Sequence, residues 1–199
     1  INGFGRIGRL VMRAAMESKR NDIEFVAIND LGSAKDNAHL LAFDSVHGRY
    51  PGTVSSTDQS ITVDGHEVKG LSERDPASLL WGDLGVDIVL ECTGIFASKE
   101  KASAHLKGGA KKVLVSAPAT DADLTVVYGV NHQKLERGHT VVSNASCTTN
   151  CLVPVAHVLN QTVGIKHGFM TTVHSYTGDQ QTVDTDLDRR RPRGRFGSA

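Results

Sequence analysis

The sequence has little of what marks secreted, membrane-spanning or nucleic-acid-binding chains. Only three of its 199 residues are cysteines, which are too few for a disulfide framework and favour a reducing, cytoplasmic compartment. No apolar run is long enough to span a bilayer, and the first residues do not resemble a secretion signal. The 22 basic residues balance the 22 acidic ones. We therefore expect neither a membrane nor a nucleic acid as its partner.

What the chain does contain is typical of a globular protein with a core. Hydrophobic residues make up 39% and charged residues 22%, and the length suits one domain, or one domain and part of another. Twenty residues are glycine, and several of them stand where a glycine has structural meaning.

The first such glycines are in the opening stretch, INGFGRIG, which has the GxGxxG spacing at Gly3, Gly5 and Gly8. This spacing alone is a weak signal. Its context strengthens it: Ile1 and Asn2 resemble the end of a strand, Ile7–Lys19 has helical apolar spacing, and Ile23–Ile28 is an apolar strand. This order predicts the mononucleotide-binding half of a doubly wound sheet, with a pyrophosphate at the helix N-terminus.

Asp30 follows the second strand, where an acidic residue would accept hydrogen bonds from ribose hydroxyls. Because its charge would repel a 2′-phosphate, it favours NAD over NADP as the cofactor. The alternative is that Asp30 only caps a turn or a helix.

The next hundred residues continue the alternation of strands and helices, which predicts the α/β class. Strands are expected at Val86–Cys92, Lys111–Val115, Thr125–Val130 and Thr140–Ala145, a hairpin with an Asp64–Gly65 turn at Ser60–Gly70, and a helix capped by Ser98 at Lys99–Leu106. Ile165–Tyr176 is also strand-like. Small polar residues end two of these strands, at the edge where such sheets bind ligands.

The run SNASCTTNC, from Ser143 to Cys151, joins a strand to an amphipathic helix. Cys147 is therefore expected at or just inside the helix N-terminus, where free N–H groups and the helix dipole favour a thiolate. His174 is a plausible base for it. Taken alone, such a cysteine is more often inert and buried; the dinucleotide pattern upstream favours the nucleophile.

These motifs together resemble phosphorylating glyceraldehyde-3-phosphate dehydrogenase. The run INGFGRIGR, the loop DSVHGR, and then SERDPxxLxW, ECTGxF, SNASCTTNC and HSYTGDQ stand in the order of that family. The resemblance covers residues 1 to about 185. It implies a Rossmann-type NAD-binding domain at 1–146, followed by an incomplete start of an α+β catalytic domain at 147–199.

The resemblance also implies residue roles. Cys147 would attack the aldehyde of glyceraldehyde 3-phosphate, His174 would take the proton, and inorganic phosphate would release an acyl phosphate. Substrate or phosphate contacts are implied for Ser146, Thr148 and Thr177. Cofactor contacts are implied, beyond the three glycines and Asp30, for Arg6, Ile7, Arg74, Thr93, Gly94 and Ser116. The family forms homotetramers and works in glycolysis.

Two side chains and one stretch of the sequence keep a second interpretation. Arg74 also fits a solvated arginine, and Cys151, four residues after Cys147, fits either packing or an oxidation-dependent disulfide. No ligand set with zinc spacing completes the pair of cysteines, so no metal site is expected. The Arg189–Arg195 stretch fits a solvated tail better than a nucleic-acid patch.

The ends of the chain depart from the family pattern. We expect residues to be missing before Ile1, and beyond Thr185 the arginine-rich tail suggests a shifted reading frame. An NAD-binding fragment without activity is therefore one alternative. Erythrose-4-phosphate dehydrogenase, which shares the fold and the Cys/His pair, is another, although HSYTGDQ favours the first family. A cysteine hydrolase that uses Cys147 and His174 without NAD is a further one, against which the glycine turn and Asp30 argue.

Overall fold

The computed structural model describes residues 1–175, in which residues 1–74 and residues 75–174 form two compact units. The family-implied Thr177 and the stretch Arg189–Arg195 lie outside the described residues.

The first unit contains two helices and six short strands. They are α1 Arg6–Glu17, β1 Ala27–Asn29, α2 Ala34–Ala42, β2 Phe43–Asp44, β3 Gly48–Arg49, β4 Val54–Ser56, β5 Ser60–Val63 and β6 His66–Leu71. Four strands form a sheet in the order β1-β6-β5-β4, in which only β1 and β6 are parallel. The predicted hairpin is confirmed: Asp64 and Gly65 have φ of 49° and 83°, as a tight two-residue turn requires.

Helix α1 forms where its apolar spacing predicts, but it buries a different face. Ile7 is 50% exposed, whereas Arg9 and Arg13 are buried beside Gly8 and Met12. The two arginines tolerate burial because their guanidinium groups donate to main-chain carbonyls: Arg9 to Phe4 at 2.9 Å, and Arg13 to Gly48 at 3.0 Å.

The second unit is built on an all-parallel sheet in the order β7-β8-β10-β9. Its elements are β7 Ile88–Glu91, α3 Lys99–Ala102, α4 Ala104–Lys107, β8 Lys112–Val115, β9 Leu124–Thr125, β10 Val141–Ser143 and α5 Cys147–Thr162, with single 3₁₀ turns at Pro76–Ser78 and His132–Lys134. A cluster of buried residues, Ala102, Val113, Val115 and Val141, packs the helices on the sheet. The α/β class is confirmed.

Several predicted strands are shorter than expected. The strand predicted at Ile23–Ile28 begins only at Ala27. The strand predicted at Thr125–Val130 ends at Thr125, because the Asn131 side chain bonds to Val127 N and Thr125 O and turns the chain.

The described part of the strand predicted at Ile165–Tyr176 contains no strand. Its residues from 165 to 175 are exposed, and Phe169 and Val173 are fully so. The apolar side chains that suggested a buried strand have no sheet neighbour among the described residues, so no ladder of main-chain hydrogen bonds fixes the segment. Helix α5, which precedes it, also contains no buried residue.

Candidate active site

Cys147 is the first residue of α5, as predicted. Strand β10 ends at Ser143, Ala145 takes a positive φ of 58°, and Ser146 caps the helix by accepting a hydrogen bond from Thr149 N at 3.0 Å. A non-glycine residue with positive φ is uncommon and costs on the order of 1 kcal/mol. Asn150 supports this turn by donating to the carbonyls of Asn144 and Ser146.

The cap leaves a group of hydroxyls at the start of the helix. The Ser146 hydroxyl lies 3.0 Å from that of Thr148 and 2.7 Å from that of Thr149. Free main-chain N–H groups and the positive end of the helix dipole make such a helix start favourable for an anion. Ser146 and Thr149 also line a cavity of about 280 Å³ together with Pro118, Thr120 and Ala145.

Cys147 Sγ and His174 Nε2 lie 3.2 Å apart, within hydrogen-bonding distance for sulfur. The pKa of Cys147 lies below its ordinary value, chiefly because of the hydrogen bond with His174, with a smaller contribution from the Thr148 main chain. The cysteine is exposed. The inert, buried interpretation of Cys147 therefore does not apply to this structure, and the pair has the arrangement of an activated nucleophile.

The other two cysteines differ from Cys147. Cys92 is mostly buried, and burial raises the pKa of its thiol. Cys151 is exposed, so the packing interpretation is not what the described residues show. All three are free thiols.

The glycine turn of the first unit has the geometry that a pyrophosphate site needs. Gly3 has a φ of 85°, and a Cβ on Gly8 would come within 2.3 Å of the Gly3 carbonyl oxygen, so only glycine fits there. Gly5 is the N-cap residue of α1 and, as a glycine, offers no side chain to the helix start. Nothing lies within 4 Å of where a Cβ on Gly5 would be. A ligand phosphate therefore has room to approach the main chain at Gly5, at the start of α1, where the helix dipole favours an anion.

Asp30 follows β1 beside this turn. Its Oδ2 accepts from Phe4 N at 2.7 Å and its Oδ1 from Gly32 N at 2.9 Å. The turn-capping interpretation is thus part of its role. Each carboxylate oxygen can accept more than one hydrogen bond, so ribose hydroxyls fit as well.

The other predicted cofactor residues of this unit differ in their surroundings. Arg6 donates to Asp44 Oδ2 at 3.0 Å, Ile7 is half exposed, and Arg74 is exposed. Asp44 is a residue that the sequence did not single out. Burial alone would raise the pKa of this carboxyl, but hydrogen bonds from the His47 and Val46 amides and the His47 ring, with the nearby Arg6 charge, hold it well below its usual range.

In the second unit, Thr93 and Gly94 follow β7 and Ser116 follows β8. These strands are parallel neighbours, so the three residues lie at the same carboxyl edge of the sheet. Ser116 N donates to the Glu91 carbonyl at 2.9 Å. Glu91 itself, buried at the end of β7, was missed from the sequence, although a charge in the apolar run VDIVLEC was a visible signal.

Residues 1–175 contain no group of three histidine, cysteine or acidic side chains that could hold a metal ion. Within the same residues, no helix combines the length and apolar character needed to cross a membrane.

Comparison with known proteins decides the family. A sequence profile described as the glyceraldehyde 3-phosphate dehydrogenase NAD binding domain matches residues 1–99, and the profile of the C-terminal domain of the same enzyme matches residues 146–198. The chain belongs to the glyceraldehyde-3-phosphate dehydrogenase family. The Rossmann-type NAD-binding fold and the start of a catalytic domain, both predicted above, are confirmed by these matches.

Individual relatives in this family are similar over nearly the whole chain. The chain is 66% identical over 194 residues to the glyceraldehyde-3-phosphate dehydrogenase of Xanthobacter flavus, and 63% identical over 194 residues to that of Cereibacter sphaeroides. The enzyme from Thermotoga maritima is 55% identical over 194 residues. Each alignment covers 96% of this chain and 58% of the relative, so the chain spans less than two thirds of their length.

Proposed function

We propose that the protein is an NAD-dependent glyceraldehyde-3-phosphate dehydrogenase that converts glyceraldehyde 3-phosphate and inorganic phosphate to 1,3-bisphosphoglycerate. The observation that carries the proposal is the 3.2 Å contact between Cys147 and His174 at the start of α5. A thiol with a lowered pKa beside an imidazole suits covalent aldehyde chemistry.

Each step assigns a defined task to these two residues. The Cys147 thiolate adds to the aldehyde carbon, and the carbonyl oxygen takes up a proton to give a thiohemiacetal. His174 then accepts the hydroxyl proton while the C–H bond breaks, which leaves a thioester on Cys147. The hydrogen of this C–H bond leaves with both bonding electrons as a hydride, and NAD, when bound, would accept it. An oxygen of inorganic phosphate attacks the thioester, the C–S bond breaks, and Cys147 leaves as a thiolate.

The hydroxyls around Cys147 suit the anions of this reaction. We assign substrate or phosphate contacts to Ser146 and Thr148, whose hydroxyl oxygens lie 3.0 Å apart at the helix start, and to Thr177. The helix dipole and the free N–H groups stabilise negative charge there.

The cofactor assignment rests on the glycine turn and Asp30 in the first unit. The main chain of Gly3, Gly5 and Gly8 would hold the pyrophosphate and Asp30 the ribose hydroxyls. In the same unit we also assign cofactor contacts to Arg6, Ile7 and Arg74. In the second unit, we assign contacts to Thr93, Gly94 and Ser116, which share one edge of a parallel sheet.

We further propose a boundary between an NAD-binding domain at 1–146 and the beginning of a catalytic domain at 147–199. The start of the second profile match at residue 146 supports it. A cytoplasmic homotetramer that works in glycolysis is the form we expect from the family.

Steady-state assays of the purified protein test the proposal. Sustained NADH formation over many turnovers should require NAD, glyceraldehyde 3-phosphate and phosphate together, and C147S should abolish it. Preference for erythrose 4-phosphate would assign the neighbouring activity instead. NAD binding by calorimetry without NADH formation would identify a protein that binds the cofactor but lacks the activity, and absence of both would contradict the proposal.

A further inference from the structure

Three fully buried polar side chains stand behind the Thr93–Gly94 turn. Glu91 ends β7 and is 1% exposed, and His105 of α4 and Trp81 are 0% exposed. Burying a carboxylate is costly unless hydrogen bonds satisfy it. The arrangement of donors and acceptors in this cluster therefore has to be close to complete for the unit to fold.

The directions of the hydrogen bonds fix the state of the His105 ring. Trp81 Nε1, which can only donate, lies 3.0 Å from His105 Nδ1, so Nδ1 accepts and carries no proton. The ring proton is then on Nε2, which lies 2.9 Å from Glu91 Oε2 and donates to it. Trp81 thus selects the tautomer of His105 that can hold the Glu91 carboxylate.

The other oxygen of Glu91 shapes the turn. Glu91 Oε1 accepts from Thr93 N at 2.7 Å and from the Thr93 hydroxyl, and the Thr93 oxygen accepts from Ile95 N at 3.1 Å. Gly94, between them, has a φ of 74°. The side chain of Glu91 therefore links the buried ring of His105 to the main chain at the ligand-binding edge of the sheet.

We propose that Glu91 is a positioning residue, which holds the Thr93–Gly94 turn in its NAD-binding shape and is itself oriented by the His105 and Trp81 side chains. The inference deepens the proposed function and rests on it for the identity of the ligand. Glu91 need not touch the cofactor, because it acts through Thr93.

The substitution E91Q tests this with little change in volume. A glutamine has one NH₂ group, which must face either the Nε2–H of His105 or the donors of Thr93. The ring cannot turn to the other tautomer while Trp81 donates to Nδ1. One donor in the buried cluster thus loses its acceptor, so we expect NAD affinity to fall about tenfold and the Thr93 and Ile95 amides to exchange hydrogen about tenfold faster.

Removal of the indole donor should relieve this conflict. In the W81F background the His105 ring is free to change tautomer and to accept from the amide that E91Q introduces. E91Q should therefore cost clearly less NAD affinity there than in the wild type. Independent structural damage would instead give equal losses in the two backgrounds. The control is E100Q, which removes the same charge from an exposed position in α3 and should bind NAD like the wild type.

Two measurements give the result: calorimetry with NAD, and hydrogen exchange of the protein without NAD. Both are made at a temperature well below the unfolding midpoint of each variant. The proposal is supported if E91Q weakens NAD binding and speeds hydrogen exchange only at residues 93–95, and if these effects of E91Q are smaller in the W81F background. Unchanged exchange at Thr93 and Ile95, or unchanged NAD affinity, overturns it. If the wild type binds no NAD, the proposed function fails, and the exchange data still decide whether Glu91 holds the turn. If E91Q does not fold, T93V replaces it. The valine cannot accept a hydrogen bond from Ile95 N, so slow hydrogen exchange of the Ile95 amide in T93V would contradict the proposal. T93S, which retains the hydroxyl, should keep the turn.

Discussion

The sulfur of Cys147 and the Nε2 atom of His174 lie 3.2 Å apart, although 27 positions separate the two residues in the chain. The cysteine is fixed by a capped helix, whereas the histidine lies in a segment without regular structure. Their contact lowers the pKa of the thiol. Cysteine reactivity therefore gives direct access to this geometry.

Alkylation by iodoacetamide should be fastest at Cys147. Because its pKa is lowered, the Cys147 thiolate forms at a lower pH than that of an ordinary cysteine. The alkylation rate of Cys147 should therefore begin to rise at a lower pH. In H174Q the profile should move to higher pH, and the rate near neutral pH should fall, because the substitution removes the imidazole whose hydrogen bond lowers the pKa of the thiol.

Mass spectrometry of the modified peptides would measure this reaction at each cysteine. C151S serves as the control, because Cys151 is also exposed but has no part in the pair; its profile for Cys147 should match that of the wild type. Cys92 should stay unmodified, because burial raises the pKa of its thiol. Equal rates for wild type and H174Q would contradict the pairing.

Two glycine substitutions should separate folding from cofactor binding. G8A places a Cβ 2.3 Å from the Gly3 carbonyl oxygen, so we expect a loss of about 1–3 kcal/mol in the free energy of unfolding. G5A meets nothing within 4 Å and should fold like the wild type, but its methyl group should hinder the approach of a pyrophosphate and weaken NAD binding. Urea unfolding and calorimetry measure the two effects; a fully stable G8A would refute the account of the turn.

Asp44 should contribute to stability in a pH-dependent way. Its side chain is 2% exposed and pairs with Arg6 at 3.0 Å, so D44N should cost about 3 kcal/mol near neutral pH. The native pKa of Asp44 is depressed, so its contribution is complete above the ordinary carboxyl value and is lost as the pH falls toward the native pKa. Urea titrations at several pH values should show the gap between wild type and D44N narrowing below about pH 4, while D58N, at an exposed position, should show little effect at any pH.

The cap on α5 should matter to both stability and chemistry. S146A removes the acceptor for Thr149 N and should lower stability by about 1 kcal/mol. S146D keeps an acceptor there but adds a negative charge next to the thiolate, which should raise the pKa of Cys147. Thermal unfolding together with the alkylation profile distinguishes the two changes. If S146D left the profile unchanged, Ser146 would not be close enough to influence the thiol.

The sequence predicts best what depends on local chemistry. The glycine turn, the Asp64–Gly65 hairpin, the Ser98 cap and the position of Cys147 at a helix start all follow from neighbouring residues, and the structure confirms each of them. Strand ends were less predictable, because they depend on which neighbour offers main-chain partners. The apolar run after Ile165 lacks such a neighbour among the described residues.

Buried polar groups were the main omission. The contact of Arg13 with the Gly48 carbonyl, and that of Glu91 with His105, form only through tertiary structure. A charged residue in an otherwise apolar strand or helix marks such a position, but the sequence does not show which residue it will contact. The pairing of Cys147 with His174 was proposed from residue types, and the structure supplied its distance.

The central claim is that Cys147 carries the oxidised substrate as a thioester once the substrate has given its hydride to NAD. The direct test mixes the protein with NAD and glyceraldehyde 3-phosphate in the absence of phosphate and follows NADH absorbance and the mass of the Cys147 peptide. The account predicts a burst of NADH of up to one per chain, an acyl group on Cys147, and release of that group when phosphate is added. NADH formation of the same size in C147S, or an acyl group on another residue, would contradict it.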